Sequence, residues 1–372
     1  MVGFRFIHTA DWQLGKPFGG FPADLTGELK AARRDSVSRI ASLARERGIA
    51  HIVVAGDVWD SEYPAQATLA QPLELMGEAP DVDWWLMPGN HDLHREGVLW
   101  SRVQALAPDN VHLLTAAEPT SLSDGVFLLP APWTTLVPGE DLTAWMDSAC
   151  TPNGAVRIGV AHGGVKDFGS EAVTIDPERA RKANLDYLAL GDWHGLVQVN
   201  DRTWYSGTPE PDRFVNNDRG NVLEVEIDAE RANPSVTPHK IGQFDWRLVE
   251  AELRSGTDFT DLETTILGGS APTRSLVKLT LTGRLTLSER AALETVLAGY
   301  QGRLLHLDIC TSGLQTRVTT GDLDTLDSEG SVRKAAETLR AQAEVANGTS
   351  EDAKRALELL FSYAHEDGGE PA

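Results

Sequence analysis

Five short polar loops in the first 200 residues carry side chains whose types could do chemistry. They occupy residues 11–13, 56–60, 89–92, 161–163 and 191–194. Their functional groups are Asp, Asn, Gln and His, with no cysteine among them. Oxygen and imidazole ligands of this kind suit Mn²⁺ or Mg²⁺ better than a thiolate-bound zinc. Glycine adjoins the functional residue in four of the five loops, which lets the backbone turn sharply and lets a metal or phosphate approach closely.

Each loop follows a segment that we expect to be a buried strand. Apolar runs at residues 4–8, 51–55 and 84–87 alternate with helical patterns at residues 29–47 and 66–77. This β-α-β-α-β order predicts parallel strands, whose carboxyl ends meet at one edge of a sheet. Further strands are predicted at residues 111–114, 126–129, 156–161 and 187–190, and an antiparallel meander at residues 203–241. The mixture predicts an α/β fold with two packed mixed sheets flanked by helices.

The pattern restarts after residue 241. Residues 242–315 repeat a compact β-α-β-α-β order, which predicts a small α+β cap domain after a catalytic domain at residues 1–241. Residues 316–372 contain an acidic linker and two amphipathic helical patterns, at residues 332–345 and 351–363. We expect this helical pair to be a partner-binding tail or a cover over the cap.

Composition limits the classes of partner. The chain has 372 residues and a net charge of −22. This argues against binding nucleic acid by bulk electrostatics, although carboxylates that hold metal ions count as negative here. No apolar run is long enough to span a bilayer and no signal peptide is visible, so we expect a cytoplasmic protein without membrane association. We interpret Cys150 and Cys310 as structural thiols.

The wording and order of the loops resemble those of a known family. The motifs are H-T-A-D-W, A-G-D-V-W-D, P-G-N-H-D and Y-L-A-L-G-D-W-H, followed by Y-S-G-T-P at residues 205–209. Over residues 4–228 the chain is similar to the calcineurin-like metallophosphoesterases, and within them to the SbcD-type (Mre-type) DNA repair nucleases. The resemblance implies the αββα sandwich of that family and a site for two divalent metal ions, Mn²⁺ before Mg²⁺.

The resemblance also implies a role for each matching residue. Asp57 would bridge the two metals. The first metal would be completed by Asp11, Gln13 and His194, and the second by Asn90, His162 and Asp192. A hydroxide between the metals would attack phosphorus in line.

His91 would bind no metal and would assist the leaving oxygen as a catalytic residue. Asp60 comes three residues after the bridging Asp57. We expect it to hydrogen-bond His91 and to set the tautomer of that ring. We therefore count His91 and Asp60 as the catalytic pair.

Two positions depart from the family pattern. The first motif usually reads D-x-H and here has Gln13, and the fifth usually reads G-H-x-H and here has Asp192. Both changes replace an imidazole nitrogen by an oxygen. We expect both metal sites to be kept, with a preference for Mn²⁺ or Mg²⁺ and with the Gln13 site the looser. An inactive, decayed enzyme is the harsher alternative.

Several other residues have a structural interpretation first. Trp12, Trp59 and Trp193 are expected to pack beneath the metals, with stacking on a base as the alternative. Asp92 is expected to cap the turn that follows it and not to bind metal. The arginines of the first helix, at positions 33, 34, 39, 45 and 47, are expected to form a solvated face, and Lys16, Arg213 and Arg219 are the better candidates for phosphate contact.

The leading interpretation is a DNA exonuclease or endonuclease that works with an SMC-like (SbcC-type) ATPase subunit, and a homodimer is compatible with the helical tail. A phosphodiesterase for nucleotides or small phosphate esters is the second hypothesis, which the net charge favours. A non-catalytic subunit that binds DNA ends or acts as a scaffold is the third.

Overall fold

A computed structural model of the chain describes residues 3–166, 174–215, 218–228, 233–256, 259–268, 271–317, 330–344, 352–357 and 359–360. The chain divides into two compact units. The first contains residues 1–211 and 217–244, and the second contains residues 212–216 and 245–372. The expected domain limits at residues 241 and 315 stay predictions.

The first unit contains two six-stranded sheets. Its strands are β1 (Phe4–Thr9), β2 (His51–Val54), β3 (Asp83–Leu86), β4 (Val111–Leu113), β5 (Thr120–Ser123), β6 (Val126–Ala131), β7 (Val156–His162), β8 (Tyr187–Gly191), β9 (Val197–Asn200), β10 (Thr203–Tyr205), β11 (Asn221–Ile227) and β12 (Ser235–Lys240). The first sheet has the order β12-β11-β1-β2-β3-β4, and the second has the order β5-β6-β7-β8-β10-β9. Both sheets are mixed, because β1 pairs with β2 in parallel and with β11 antiparallel, while β8 and β9 flank β10 in opposite senses.

The helices of the first unit are α1 (Ala23–Arg47), α2 (Gln66–Gly77), α3 (Leu99–Leu106) and the short α4 (Arg179–Lys182), with a 3-10 turn at Ala144–Asp147. The first helix begins six residues before the predicted start and ends, as expected, before Gly48, whose φ of 63° is the left-handed conformation that glycine tolerates. The helix α4 has four residues and precedes β8.

Alternate residues of the central strands face different layers. Ile52 and Val54 pack under α1 and α2, together with Ile40 and Leu73. Val53, between them, packs in the layer that separates the two sheets. A further cluster covers the outer face of the second sheet. Because both faces of β2 are covered, its sequence is a continuous apolar run. The structure therefore confirms two packed mixed sheets flanked by helices.

The antiparallel meander expected at residues 203–241 is confirmed for β11 and β12, which pair antiparallel, and is wrong for β10. β10 belongs to the second sheet, whereas β11 and β12 extend the first sheet beside β1. A short strand-like run between turn residues predicts that a strand is present, but it does not specify which sheet that strand joins.

The second unit has a three-stranded parallel sheet in the order β13-β14-β15. Its elements are β13 (Asp245–Arg254), α5 (Thr260–Leu267), β14 (Ser275–Thr286), α6 (Leu287–Gln301), β15 (His306–Arg317) and α7 (Ser331–Glu344). A capping box between Thr286 and Glu289 begins α6. Residues 352–357 and 359–360 are helical. Most of the predicted linker lies outside the described residues, and so do residues 351, 358 and 361–363 of the second predicted tail helix.

No described helix combines the length and the apolar character needed to span a membrane.

Candidate metal centre

The five polar loops come from both sheets. Asp11, Asp57 and Asn90 follow the parallel neighbours β1, β2 and β3, while His162 ends β7 and Asp192 follows β8. The carboxyl ends of parallel strands share one edge of each sheet. The packed sheets therefore present these side chains to one place.

Three of the predicted ligands form a compact, buried group. One ligand atom from each of Asp11, Asp57 and His162 lies within 4.8 Å of the others. His162 Nε2 is 3.4 Å from Asp57 Oδ1 and 3.8 Å from Asp192 Oδ1. Carboxylate and imidazole atoms at this spacing make a candidate metal site.

Three buried acceptor atoms in the site have no hydrogen-bond partner within the described part of the chain. They are Gln13 Oε1, Asn90 Oδ1 and, in the neutral form of the ring, His162 Nε2. The other polar atom of each side chain is bonded: Gln13 Nε2 donates to Asp57 Oδ2 at 2.5 Å, Asn90 Nδ2 donates to Asp192 Oδ1 at 3.0 Å, and His162 Nδ1 lies 2.9 Å from the Ala55 carbonyl. These bonds hold each side chain in place and leave an acceptor unused. An unpaired buried acceptor costs about 1–3 kcal/mol. A divalent cation binds lone pairs of this kind, so these atoms fit a metal ion.

The backbone of the site is strained. Asp11, Gln13, Asp57 and Asp192 have positive φ angles of 55°, 48°, 55° and 98°. Residues other than glycine rarely adopt this region, and each such residue costs of order 1–3 kcal/mol. Four of the six described non-glycine residues with positive φ are thus predicted ligands, which indicates that the fold keeps the strain in order to aim their side chains.

Two motif glycines allow close approach. A Cβ at Gly89 would lie 2.2 Å from Asp57 Oδ1, and one at Gly191 would lie 2.1 Å from the Ala55 carbonyl and 2.7 Å from His162 Nδ1. Any larger residue would displace the bridging candidate Asp57 or the ring of His162. The glycine requirement inferred from sequence therefore has a steric basis.

Backbone bonds join the first two loops. Asp11 N donates to Gly56 O at 3.1 Å, Gln13 N donates to Asp57 O at 2.9 Å, and Asp60 N donates to Leu14 O at 3.0 Å. The His91 amide in turn donates to Asp57 Oδ1 at 3.0 Å. The carboxylate of Asp57 is therefore fixed by three loops.

The site concentrates negative charge. Burial, together with the charges of Asp57 and Asp192, raises the pKa of Asp11 to about 6, against the opposing effect of His194 and His162. Burial also disfavours the charged forms of Asp57 and His162, but their mutual attraction prevails, lowering the pKa of Asp57 and raising that of His162. Grouped carboxylates in a buried site attract cations, whose charge favours the ionised form of each carboxylate.

Asp92 joins two of the loops. Its carboxylate is fully buried and accepts from Gly89 N at 2.6 Å and from Trp59 N at 3.1 Å. Burial and the charge of Asp57 raise its pKa to about 7. Asp92 thus caps a turn, as predicted, but the turn is the one before it, and the second bond fastens that turn to the loop that carries Asp57.

His91 lies at the open side of the site. Its side chain is 53% exposed, and its Nε2 is 4.0 Å from Asp57 Oδ2. Nδ1 lies 3.4 Å from the main-chain carbonyl of Asp60. The contact that we expected from the Asp60 carboxylate is thus made by its main-chain carbonyl. Burial raises the pKa of the Asp60 carboxyl, and the positive charges of Lys16, His91 and Arg33 oppose that rise.

His194 completes the set of predicted ligands. Its charge acts on Asp11, and its carbonyl accepts from Thr208 N at 3.0 Å. This bond connects the fifth loop to the Y-S-G-T-P stretch. His8, by contrast, is a packed residue, since its ring lies 3.0 Å from Tyr187 Oη and 3.2 Å from the Leu190 carbonyl.

Sequence reasoning missed Arg33. The expected solvated face is wrong at this position, because Arg33 is 1% exposed. It donates to Trp12 O at 2.6 Å, to Glu210 O at 2.8 Å and to Thr208 Oγ1 at 3.3 Å. Arg39, from the same helix, donates to the Glu210 carboxylate at 2.6 Å. Arg33 therefore holds the loop of Asp11 and Gln13, and charge spacing along a helix does not reveal such a contact.

The three tryptophans differ. Trp12 and Trp59 are fully buried, as expected, and pack edge-on against Trp84 and Trp100. Trp193 is 45% exposed, so the packing interpretation is wrong for it. Its neighbours Asp192 and His194 are the predicted ligands, and the chain turns their intervening side chain outward.

The structure also places the three residues predicted to contact phosphate and the two cysteines. Arg219 is 7% exposed, which makes it a poor candidate for phosphate contact, whereas Lys16 is half-buried and Arg213 is exposed. Cys150 and Cys310 are both free, and Cys150 is exposed.

Comparison with known proteins identifies a related family. Residues 4–223 match the family model for calcineurin-like phosphoesterases. The chain is 26% identical over 133 residues to one subunit of the nuclease SbcCD of Bacillus subtilis (strain 168), an alignment that covers 35% of this chain and 28% of that protein. The matched stretch thus spans little more than a quarter of the curated relative.

Two solved structures are also similar. TT1561 of Thermus thermophilus matches with 11% identity and a TM-score of 0.39, covering 64% of this chain and 99% of that one. The purple acid phosphatase PPD1 from yellow lupin (Lupinus luteus) seeds matches with 11% identity and a TM-score of 0.40, covering 64% of this chain and 51% of that one. Because the family model matches more than half of its length, this chain belongs to the calcineurin-like phosphoesterase family.

Proposed function

We propose that the protein is a dinuclear-metal-dependent phosphodiesterase that cleaves DNA. The observation that carries the proposal is the meeting of Asp11, Asp57 and His162 within 4.8 Å, beside three buried acceptors that lack a partner in the described chain. The family match supports phosphoester chemistry. The stretch aligned with the SbcCD nuclease supports DNA as the substrate.

In this proposal each metal has its own ligands and both share Asp57. Asp11, Gln13 and His194 would hold one ion, and Asn90, His162 and Asp192 would hold the other. Mn²⁺ is favoured over Mg²⁺ because two imidazoles accompany the oxygen ligands. When bound, the two ions supply an activated water and neutralise the charge that develops on the phosphoryl group.

The chain's own residues bind and protonate the substrate. His91 is exposed enough to reach a bound phosphodiester, and the Asp60 carbonyl at 3.4 Å from Nδ1 orients its ring. With Nδ1–H directed at this carbonyl, Nε2 carries a proton in the imidazolium form, and from that form it can give the proton to the leaving oxygen and return to the neutral ring. Asp60 is therefore a positioning residue in this account, acting through its backbone.

The partners belong to the same proposal. An SMC-like ATPase of the SbcC type would bind the helical tail, the region from about residue 242 would be a separate small domain, and the protein would act in the cytoplasm, as a monomer or a homodimer. The similarity to part of the SbcCD nuclease supports the ATPase partner.

Cleavage of linear DNA across a metal series tests the proposal. Asp57→Asn removes the shared negative charge without changing the size of the side chain, and we expect at least a 100-fold loss of Mn²⁺-dependent cleavage. Asp81→Asn is the matched control, because Asp81 is paired with Arg45 on the surface. Wild-type protein without metal-dependent cleavage of any DNA form would refute a nuclease.

A second function, hydrolysis of nucleotides or small phosphate esters, is favoured by the net charge of −22. A chromogenic diester, bis(p-nitrophenyl) phosphate, separates the two when its kcat/KM is compared with that of DNA. His91→Asn should reduce cleavage of DNA, which has a poor leaving group, much more than cleavage of the activated diester. Equal losses on both substrates would contradict the role of His91 as a proton donor, and unchanged biological function of the variant would favour a non-catalytic scaffold.

A further inference from the structure

The second unit contains a basic cleft that has no part in the metal centre. It has a volume of about 1140 Å³ and lies against α6, the ends of β14 and β15, and the helical residues 352–357. Five cationic side chains line it: Arg284, Arg290, Arg317, Lys354 and Arg355. Among the described lining residues, Glu294 is the acidic one.

This concentration of positive charge runs against the composition. Residues 241–372 contain 13 basic and 21 acidic residues. Five of those 13 cations line one cleft, and Glu294 is the acidic residue among the lining residues that the structure describes. Like charges brought together repel one another, and a bound anion relieves that cost.

The sheet places two of the arginines. Arg284 of β14 is the register partner of Gln315 on β15 and donates to its amide oxygen at 2.8 Å. Arg317 lies two residues beyond Gln315, so its side chain belongs to the same face of the strand. Arg284 is held by a neutral acceptor, which orients the guanidinium without cancelling its charge.

The helix α6 supplies a cation to the same cleft. Arg290 is 8% exposed, and it contacts Glu294 at 3.4 Å and Thr311 Oγ1 at 3.3 Å. A cation this buried is costly unless its donors are used. Its place beside Leu293 and Leu297 puts it at the apolar floor of the cleft.

A small apolar cluster fixes the last two cations. Leu357 is 1% exposed and packs with Leu287 of α6 and Ala336 of α7. Lys354 and Arg355 lie three and two residues before Leu357, in the same helical segment. The packing of Leu357 therefore anchors the segment that carries them.

We propose that this cleft binds a nucleoside oligophosphate. The guanidinium groups match the fork geometry of phosphate oxygens, and the apolar atoms that Leu297 and Leu314 contribute to the lining give a contact for a base. The volume of about 1140 Å³ slightly exceeds the usual range for small-molecule sites, roughly 300–1,000 Å³, so a ligand as large as a nucleotide has room. A bounded cleft suits a small ligand better than a duplex, whose phosphates need an extended surface.

Calorimetric titration of the full-length protein with ATP and with inorganic tripolyphosphate tests the proposal. EDTA is present throughout, so that metal-bridged binding elsewhere does not contribute. The variant carrying Arg284→Gln and Arg317→Gln should bind ATP at least 10-fold more weakly than the wild type. Arg274→Gln is the matched control, because Arg274 is exposed in the same unit and does not line the cleft. It should change the dissociation constant by less than twofold.

Two further results complete the test. Tripolyphosphate should compete with ATP, because the cations recognise the phosphates. The proposal is wrong if neither probe binds at millimolar concentration, if Arg274→Gln weakens binding as much as the double variant, or if a 12-nucleotide single strand binds while ATP and tripolyphosphate do not.

Discussion

Replacing Arg33 by methionine removes the side chain that connects α1 to the first loop of the metal centre. Arg33 donates to the carbonyls of Trp12 and Glu210 and to the hydroxyl of Thr208. Methionine fills a similar volume but donates no hydrogen bond. The two carbonyls would then be left buried with one bond fewer each.

The expected loss follows from those contacts. A hydrogen bond from a charged donor contributes about 1.5–3 kcal/mol, and the bonds of Arg33 to Trp12, Glu210 and Thr208 are two short ones and one long one. Removing a buried charge also recovers its desolvation cost, which lowers the net effect. We expect the free energy of unfolding to fall by about 3 kcal/mol. Since Trp12 lies between Asp11 and Gln13, we also expect Mn²⁺ affinity to fall at least 10-fold.

Urea unfolding and Mn²⁺ titration of the same preparations measure both effects. Arg34→Met is the matched control on the neighbouring position, where the guanidinium pairs with Asp35 on the surface. Its cost should stay within about 0.5 kcal/mol. The reasoning fails if Arg33→Met costs no more than Arg34→Met. It also fails if Arg33→Met unfolds more easily but binds Mn²⁺ like the wild type.

Two further predictions concern a close approach and a pH dependence. Gly89→Ala should weaken Mn²⁺ binding at least 10-fold in calorimetry, because its Cβ would lie 2.2 Å from Asp57 Oδ1. Gly27→Ala, which meets nothing within 4 Å, should leave binding unchanged, and equal binding by both variants would contradict the steric argument. Burial opposes ionisation of Glu224, but its bonds with arginine and histidine side chains lower its pKa from 4.5 to about 2, so its stabilisation is complete above about pH 4.5 and is lost as the pH falls toward 2. Glu224→Gln should therefore cost about 1–2 kcal/mol in urea unfolding at pH 7 and less at pH 3.5, and a difference that grows in acid would contradict this.

The order of elements and the polar strand ends could be predicted because they depend on local patterns. A buried parallel strand is a continuous apolar run, and β2 has that form. A loop residue such as Asp57 directly follows such a run, so the sequence alone places it at the edge of a sheet. The convergence of Asp57 with His162, more than 100 residues later, followed from the family resemblance and not from the pattern.

The contacts that depend on three-dimensional neighbours could not be predicted. Arg33 has the same type and helical spacing as the solvated Arg34, and only the chain near Glu210 makes it a buried residue. Trp193 is apolar but turns outward, because its two neighbours are directed to the metal centre. The sheet joined by β11 is likewise set by its partner β1 and not by the turn before it.

The number of Mn²⁺ ions bound per chain tests the central claim most directly. Equilibrium dialysis of the metal-free protein against Mn²⁺, followed by elemental analysis, should give two ions per chain, with the weaker one strengthened by Gln13→His. His162→Ala should lose one ion. A wild-type stoichiometry of one or none at saturating Mn²⁺ would contradict a dinuclear centre built on Asp57.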